Sequence, residues 1–446
     1  MKKVFIVILV LVALHFVTRY SLGFSVYRLG DALEVSASLG AKIACSARYV
    51  SGFDESLIVE DLASYSPATR LLDIVYDDAE KRVTANMLGL ASYTGQYRDG
   101  LGCTLEIGDT TALDALQVKK VEAEAAPWPQ GNQVSTVQDN YQQLTDQILH
   151  QDNQGGLQTR ALLVVKDGQV VAESYAEGVD NQTQLLGWSM GKSLTAMMLG
   201  RMQTLGLVNL QQKAGFAPWQ SDARQEITLE QLLTMSSGLK FNETYAPGSD
   251  STRMLFTAYS ASDVALTATA EKSPGSYFSY SSGTTNILIR WMRDELGSNQ
   301  ALLDFFHNEI LQPLSMADTT FEVDPSGVYV GSSYIFATAR DWAKMGFLML
   351  RNGTWQGQQL LQKDWVSAAQ KPISAENYQK YGYQFWLNQG GEELRWNKIP
   401  ADAYMMMGNR KQVVMIVPSK QLVLVRLGWT SGSYPTEDNF ARLIAL

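Results

Sequence analysis

The chain has 446 residues, with 36 Lys plus Arg against 45 Asp plus Glu, a net charge of −9, two Cys, three His and 46% hydrophobic residues. Such a length and apolar content describe a packed globular protein of two or three structural units, and they exclude a disordered chain. The acidic balance, with no Lys/Arg cluster, excludes a nucleic-acid-binding face, and His15, His150 and His307 are too far apart for metal-motif spacing. No metal or organic cofactor is called for, and histidine is an improbable catalytic centre.

The chain opens Met1-Lys2-Lys3, then runs apolar from Val4 to Val17 and closes at Thr18-Arg19. A basic start and an apolar run shorter than the about 20 residues of a free-standing span fit a secretory signal. Ser21-Leu22-Gly23 offers a cleavage site, and an uncleaved N-terminal membrane anchor through residues 4–17 is the alternative. Either way residues 1–23 direct export, placing the protein in the periplasm or anchored at the inner membrane. On that side disulfides persist, so Cys45 and Cys103 pair, a link worth about 4 kcal/mol in the chain-entropy model; two buried free thiols are the other reading.

Residues 24–130 form an N-terminal region. Leu71 to Tyr76 and Arg82 to Met87 flank an Asp77-Asp78-Ala79-Glu80 turn and read as a hairpin. Ala125-Ala126-Pro127-Trp128-Pro129-Gln130-Gly131 marks a connection to a second unit, residues 131–446. Ser135 to Gln151 has helical periodicity. Ala161 to Val165 and Val170 to Tyr175 flank Asp167-Gly168 as a hairpin, and Val413 to Val417 with Leu422 to Arg426 make another. Between them the chain is mostly helical, with a capping box at Thr228 and Gln231. Strand pairs from the two ends of a unit commonly meet in one sheet. The fold class expected is therefore α/β of the α+β type: an antiparallel sheet of N- and C-terminal strands flanked by helices, a mostly helical subdomain, and a small β-containing N-terminal region.

Chemistry concentrates at Leu186-Gly187-Trp188-Ser189-Met190-Gly191-Lys192-Ser193. A phosphate loop would need glycine at 186, where leucine stands, so the nucleotide reading fails. Ser189 and Lys192, three residues apart, share one face of a helix. At a helix N-terminus the serine sits in positive potential, and burial lowers a lysine's pKa, so Lys192 becomes a neutral base for the Ser189 proton. A second string runs from Ser273-Pro274-Gly275 to Tyr280-Ser281-Ser282-Gly283. It places Tyr280 as a proton relay whose acidity the lysine's charge would raise.

Ser189-Met190-Gly191-Lys192 and Pro274-Gly275 leading to Tyr280-Ser281-Ser282 resemble the first two motifs of serine β-lactamase-related hydrolases. That group includes class C β-lactamases, penicillin-binding DD-peptidases and esterases. Leu233-Thr234-Met235-Ser236-Ser237-Gly238-Leu239, Leu311-Gln312-Pro313-Leu314-Ser315-Met316, Ala337-Thr338-Ala339-Arg340-Asp341 and Tyr381-Gly382-Tyr383 agree, so the resemblance covers about 150 to 440. Asn242-Glu243-Thr244-Tyr245 is most similar to the 6-aminohexanoate-dimer hydrolase branch, where the tyrosine of a Glu-x-Tyr element closes over the substrate amide; that role would fall to Tyr245. The third motif departs. In Gly408-Asn409-Arg410-Lys411-Gln412-Val413, Asn409 stands where His or Lys is usual and Lys411 where Gly is usual. The resemblance implies oxyanion donors at the Ser189 and Gln412 backbone N–H groups, with Tyr245 and Asn409 facing substrate.

Trp386 lines an apolar pocket or packs in the core, Met405-Met406-Met407 is core or pocket wall, and His307 is a partly exposed helix residue. The function expected is an exported serine hydrolase that cleaves a small-molecule amide or ester through an acyl-enzyme. The alternatives are a β-lactamase or DD-peptidase acting on cell-wall-related substrates, against which the altered third motif argues, and a non-catalytic ligand-binding descendant.

Overall fold

The computed structural model describes His15 and residues 25–122, 125–134 and 137–446. Apart from His15, the apolar run of residues 4–17 and the cleavage candidate lie outside the described residues. Among those described, no helix is long and apolar enough to cross a membrane.

The N-terminal region begins with α1 (Leu29–Tyr49) and α2 (Glu55–Ala63), followed by β1 (Leu72–Asp77), β2 (Arg82–Met87), β3 (Ala91–Arg98) and β4 (Gly102–Leu105). The strands form an antiparallel meander in that order, with the expected hairpin shifted by one residue at each end of its first strand. The long α1 was not anticipated. Its middle, residues 37–47, is buried on every side, as befits a helix enclosed by other elements rather than lying on a surface. Small side chains permit that enclosure: a Cβ at Gly95 of β3 would sit 2.9 Å from the Ala41 carbonyl oxygen of α1. Cys45 of α1 and Cys103 of β4 are disulfide-bonded across a separation of 58 residues, so the free-thiol reading is set aside.

The second unit starts with α3 (Asp139–Gln154), β5 (Thr159–Lys166) and β6 (Gln169–Tyr175). It ends with β12 (Trp386–Leu387), β13 (Tyr404–Gly408), β14 (Gln412–Val417), β15 (Leu422–Gly428) and α12 (Thr436–Ile444). These strands make one antiparallel sheet, ordered β12-β13-β14-β15-β5-β6, in which β15 pairs with β5 and joins the two ends of the unit. Tyr141 and Ile148 of α3 and Phe440 and Leu443 of α12 pack on one face against Leu162, Met415 and Leu424. On the other face lie α4 (Met190–Thr204) and α10 (Ala339–Leu350), the latter so close that a Cβ on Gly346 would meet Val423 at 2.7 Å. With both faces covered, β14 and β15 are buried throughout and, apart from Gln412 and Arg426, read as apolar runs instead of alternating ones.

The intervening stretch is mostly helical: α5 (Leu229–Leu233), α6 (Asp250–Phe256), α7 (Ala261–Leu266), α8 (Ser282–Leu296), α9 (Asn299–Phe306) and, nearer the sheet, α11 (Lys363–Ala369). The capping box on Thr228 and Gln231 forms as its spacing indicates. Two small sheets interrupt the helices: β7 (Leu185–Leu186), β8 (Thr319–Phe321) and β9 (Ile335–Ala337) in the order β7-β9-β8, and the pair β10 (Thr354–Trp355) with β11 (Gln358–Gln359). The α+β architecture is thus as the sequence indicates, with the short β7-β9-β8 sheet an addition. His307 differs from its reading: it is 8% exposed, in a π-helical turn.

Glu322, directly after β8, ties the two units together. Fully buried, it pairs with Lys42 of α1 and accepts from Ser46 Oγ at 2.8 Å and the Cys103 N–H at 2.7 Å. Removing one member of a buried pair leaves an uncompensated charge, a loss of about 3–5 kcal/mol. Glu322→Ala should lower unfolding stability by that amount in urea titrations followed by tryptophan fluorescence. The double variant Lys42→Met/Glu322→Leu should recover most of the loss, apart from about 1–2 kcal/mol for the orphaned Cys103 N–H.

Candidate active site

Ser189 is the N-cap of α4, reached from β7 through Gly187 and Trp188. The turn is tight. Gly187 has no room for a Cβ, which would lie 2.1 Å from the Trp342 ring, and Trp188 adopts a left-handed φ of 48°, rare for a bulky residue. The carbonyl of Gly187 abuts Gly408 at the end of β13, where a Cβ would fall 2.1 Å away. The turn before Ser189 and the end of β13, just ahead of the Asn409–Lys411 turn, are therefore in direct backbone contact.

Lys192, one helical turn on, is 1% exposed. Its Nζ lies 3.0 Å from Ser189 Oγ, 2.9 Å from Ser282 Oγ and 3.2 Å from the Ser332 carbonyl oxygen. Burial pulls its pKa down to about 8, opposed by the negative charge of Glu243. The hydrogen-bond inventory then assigns direction. The Ser332 carbonyl can only accept. Ser282 Oγ donates to Glu243 Oε1 at 2.5 Å, so it too must accept from the lysine. A neutral amine spends its two hydrogens on these groups, and only the Ser189 hydroxyl is left to donate to its lone pair.

Glu243 is the residue that sequence reasoning passed over. Besides the Ser282 hydroxyl it accepts the Ser282 N–H at 2.8 Å, one of the donors left unpaired at the start of α8. Its place in Asn242-Glu243-Thr244-Tyr245, two positions from a tyrosine already singled out, was the available signal. Ser332 is itself fixed, its N–H bonded to Asn286 Oδ1 and its neighbour Gly331 bonded through the carbonyl to Thr195 Oγ1.

Tyr280 immediately precedes the α8 cap. Its ring lies 4.8 Å from Lys192 Nζ, and Ser189 is among the groups that act on its hydroxyl. Burial, reinforced by Tyr381 and Glu243, raises its pKa well above the ordinary value, which corrects the expectation that the lysine would acidify it. Tyr280 is a protonated phenol. Trp386 packs beside it, ring centroids 5.2 Å apart, in an aromatic group with Tyr381 and Phe278. Gln384 anchors that group, accepting from Ser193 Oγ through its carbonyl and from Thr285 Oγ1 through its side chain.

The remaining candidates lie at the margin. Tyr245 is 48% exposed, its hydroxyl 3.4 Å from Glu243 Oε1. Asn409 is exposed, its Oδ1 accepting the adjacent Arg410 N–H, and Lys411 is exposed. The Gln412 side chain turns away to clamp Gly428, accepting its N–H at 2.9 Å. Met405 and Met406 are fully buried core residues.

A serine at a helix start, a buried lysine one turn later and a tyrosine beside them, at the edge of an antiparallel sheet, define the serine hydrolases of the β-lactamase and penicillin-binding fold. The chain belongs to the β-lactamase family, whose model matches residues 137–446. The 6-aminohexanoate-dimer hydrolase of Paenarthrobacter ureafaciens is 23% identical over 252 residues, covering 53% of this chain and 64% of that protein, so the match spans less than two thirds of the relative's length. A Bacillus anthracis structure assigned as a 6-aminohexanoate-dimer hydrolase superposes with a TM-score of 0.59 at 20% identity, covering 75% of this chain and 91% of the other. A family VIII carboxylesterase gives 0.54 at 12% identity, covering 70% and 98%.

The Lys192 environment has a direct readout. In protein carrying 13C-labelled lysine, one Cε resonance, lost in Lys192→Met, should titrate near pH 8. In Glu243→Gln the midpoint should fall further, because the anion that favours the ammonium is gone. A midpoint near the ordinary lysine value of about 10.4 would contradict the buried-amine description.

Proposed function

We propose that the protein hydrolyses a small-molecule amide or ester through an acyl-enzyme on Ser189. The observation that carries this is the position of Lys192 Nζ, where the Ser189 hydroxyl is the one neighbour able to give it a proton. Lys192 takes that proton as Ser189 Oγ bonds to the substrate carbonyl carbon. The oxyanion is held by the Ser189 and Gln412 N–H groups. Tyr280, protonated, donates its hydrogen to the leaving nitrogen or oxygen and is re-protonated from the Lys192 ammonium, so one proton passes from serine to leaving group. Water then attacks the acyl carbonyl by the same relay, releasing the acid and restoring Ser189.

Tyr245 and Trp386 form the substrate-facing wall in this reading, and Asn409 the outer lip. A linear amide or ester is favoured over a β-lactam, since neither His or Lys at 409 nor glycine at 411 is present. The names of the relatives, a 6-aminohexanoate-dimer hydrolase and a family VIII carboxylesterase, support that choice. Export belongs to the same proposal and is supported by the Cys45–Cys103 disulfide, a bond that persists in oxidising compartments.

A fluorophosphonate probe with intact-mass detection should give one adduct, absent in Ser189→Ala. With a p-nitrophenyl ester, kcat/KM should rise with pH through an apparent pKa near 8, because the base works only as the neutral amine and is lost as pH falls below that value. On an amide or alkyl ester, whose leaving group must be protonated, Tyr280→Phe should cost about 10²–10⁴-fold, the range for a general acid, and the loss should be smaller with the p-nitrophenyl ester. No adduct with any probe on wild-type protein would overturn the proposal, and rapid hydrolysis of a chromogenic cephalosporin would return the substrate to the β-lactams.

A further inference from the structure

Residues 25–122 lie outside the part of the chain that the family model matches, yet one of their side chains wedges between the two backbone segments assigned to the oxyanion. Tyr65 follows the last turn of α2. Its ring meets Trp188, the residue before Ser189, edge-on at 6.3 Å, and meets Trp429 edge-on at 5.8 Å. The Arg410 guanidinium lies over it, 3.8 Å from the ring centre. Arg410 stands two residues before Gln412.

Both segments that Tyr65 touches are strained. Trp188 has φ 48°, and Arg410 and Lys411 are successive non-glycine residues at φ 60° and 64°. Such conformations persist only where the surroundings over-determine them. Arg426 Nη1 donates to the carbonyls of Arg410 and Lys411 at 2.9 and 3.1 Å, fixing the far side of the second loop. On the near side the loop rests on Tyr65 and Trp429.

The wedge is itself immobilised. Asp61 of α2 makes a buried ion pair with Arg160 of β5 at 2.6 Å. The Trp429 indole N–H donates to the Asp61 carbonyl at 3.0 Å and lies 3.1 Å from Ser64 Oγ. Among the described residues the buried Tyr65 hydroxyl has no hydrogen-bond partner. What the residue contributes is therefore the flat ring.

We propose that Tyr65 is a positioning residue for the oxyanion donors: beside the Gly187–Gly408 backbone contact, its ring braces both the Trp188–Ser189 turn and the Arg410–Gln412 loop in their strained conformations. The unusual Asn409-Arg410-Lys411 sequence follows, since a buried arginine at 410 gives the loop a handle for this clamp in place of a glycine-based turn. The proposal rests on the acyl-enzyme reading above. It assigns the N-terminal region a part in catalysis without contact to substrate.

The test compares Tyr65→Ala, Tyr65→Phe and Arg410→Gln in the full chain, using a p-nitrophenyl ester and an arylboronic acid, whose tetrahedral serine adduct needs the same two donors. Tyr65→Ala should lower kcat about 10²-fold, the effect of misplacing one oxyanion donor, with KM little changed and boronate affinity falling in parallel. Tyr65→Phe should behave as wild type, and Arg410→Gln should resemble Tyr65→Ala. A folded Tyr65→Ala protein with wild-type kcat and boronate affinity would overturn the proposal, as would an effect confined to KM, which would make Tyr65 a substrate wall. Damage in Tyr65→Phe equal to that in Tyr65→Ala would also overturn it. Should circular dichroism show Tyr65→Ala unfolded, unchanged kcat and boronate affinity in Arg410→Gln overturn it alone. If wild-type protein neither hydrolyses the ester nor forms the Ser189 adduct, the functional reading fails instead, and the two failures are told apart.

Discussion

An amine taken out of water governs this site. Lys192 is buried between two helix N-termini, those of α4 and α8, whose positive ends oppose a further positive charge, and desolvation lowers its pKa in the same direction. Such a group is tolerable only if every polar neighbour is placed to meet it. The surrounding structure does this: the Asn286 and Thr195 side chains hold the turn that presents the Ser332 carbonyl, Glu243 fixes the direction of the Ser282 hydroxyl, and Ser189 completes the set. The lysine's basicity and the serine's orientation are two results of one packing arrangement.

The N-terminal region belongs to that arrangement more closely than its absence from the family match indicates. Helix α1 is enclosed between its own meander and the catalytic unit, and two buried ion pairs, Lys42–Glu322 and Asp61–Arg160, cross between the units. Buried pairs are costly to form and costly to break, so they favour one docking geometry over slipped alternatives. Glu322 also governs the loop below it: its carbonyl accepts the Val330 N–H, and its own N–H bonds the Tyr334 carbonyl. That loop carries Ser332 to the lysine. The disulfide between α1 and β4 stiffens the platform from which these contacts reach.

Ser189 and Lys192 were legible because their relation is local: three residues on a helix always share a face. The hairpins around Asp167-Gly168 and Pro418-Ser419-Lys420-Gln421 were legible for the same reason, turn chemistry between apolar runs. Tyr280 was placed beside the pair through motif resemblance, not spacing. Glu243 escaped notice because its role depends on Ser282, 39 residues away. The acidity of Tyr280 was misjudged because the lysine's charge is visible in a sequence, whereas the desolvation that outweighs it is not. Helix α1 was missed because its buried centre is mostly Ala, Ser and Gly, with Leu39 and Ile43 its larger apolar side chains, and shows no clear apolar stripe when every side is covered.

By itself the sequence determined the family, serine hydrolases of the β-lactamase kind in a chain almost without histidine, and the α+β frame that carries it, since local spacing and period survive in one dimension. The tertiary structure alone decided which groups set the lysine's hydrogen-bond directions, that Arg410 is buried against Tyr65, and that a region outside the family match touches both strained turns beside Ser189. Those outcomes depend on burial and on contacts between residues distant in the chain, and neither is written in the order of residues.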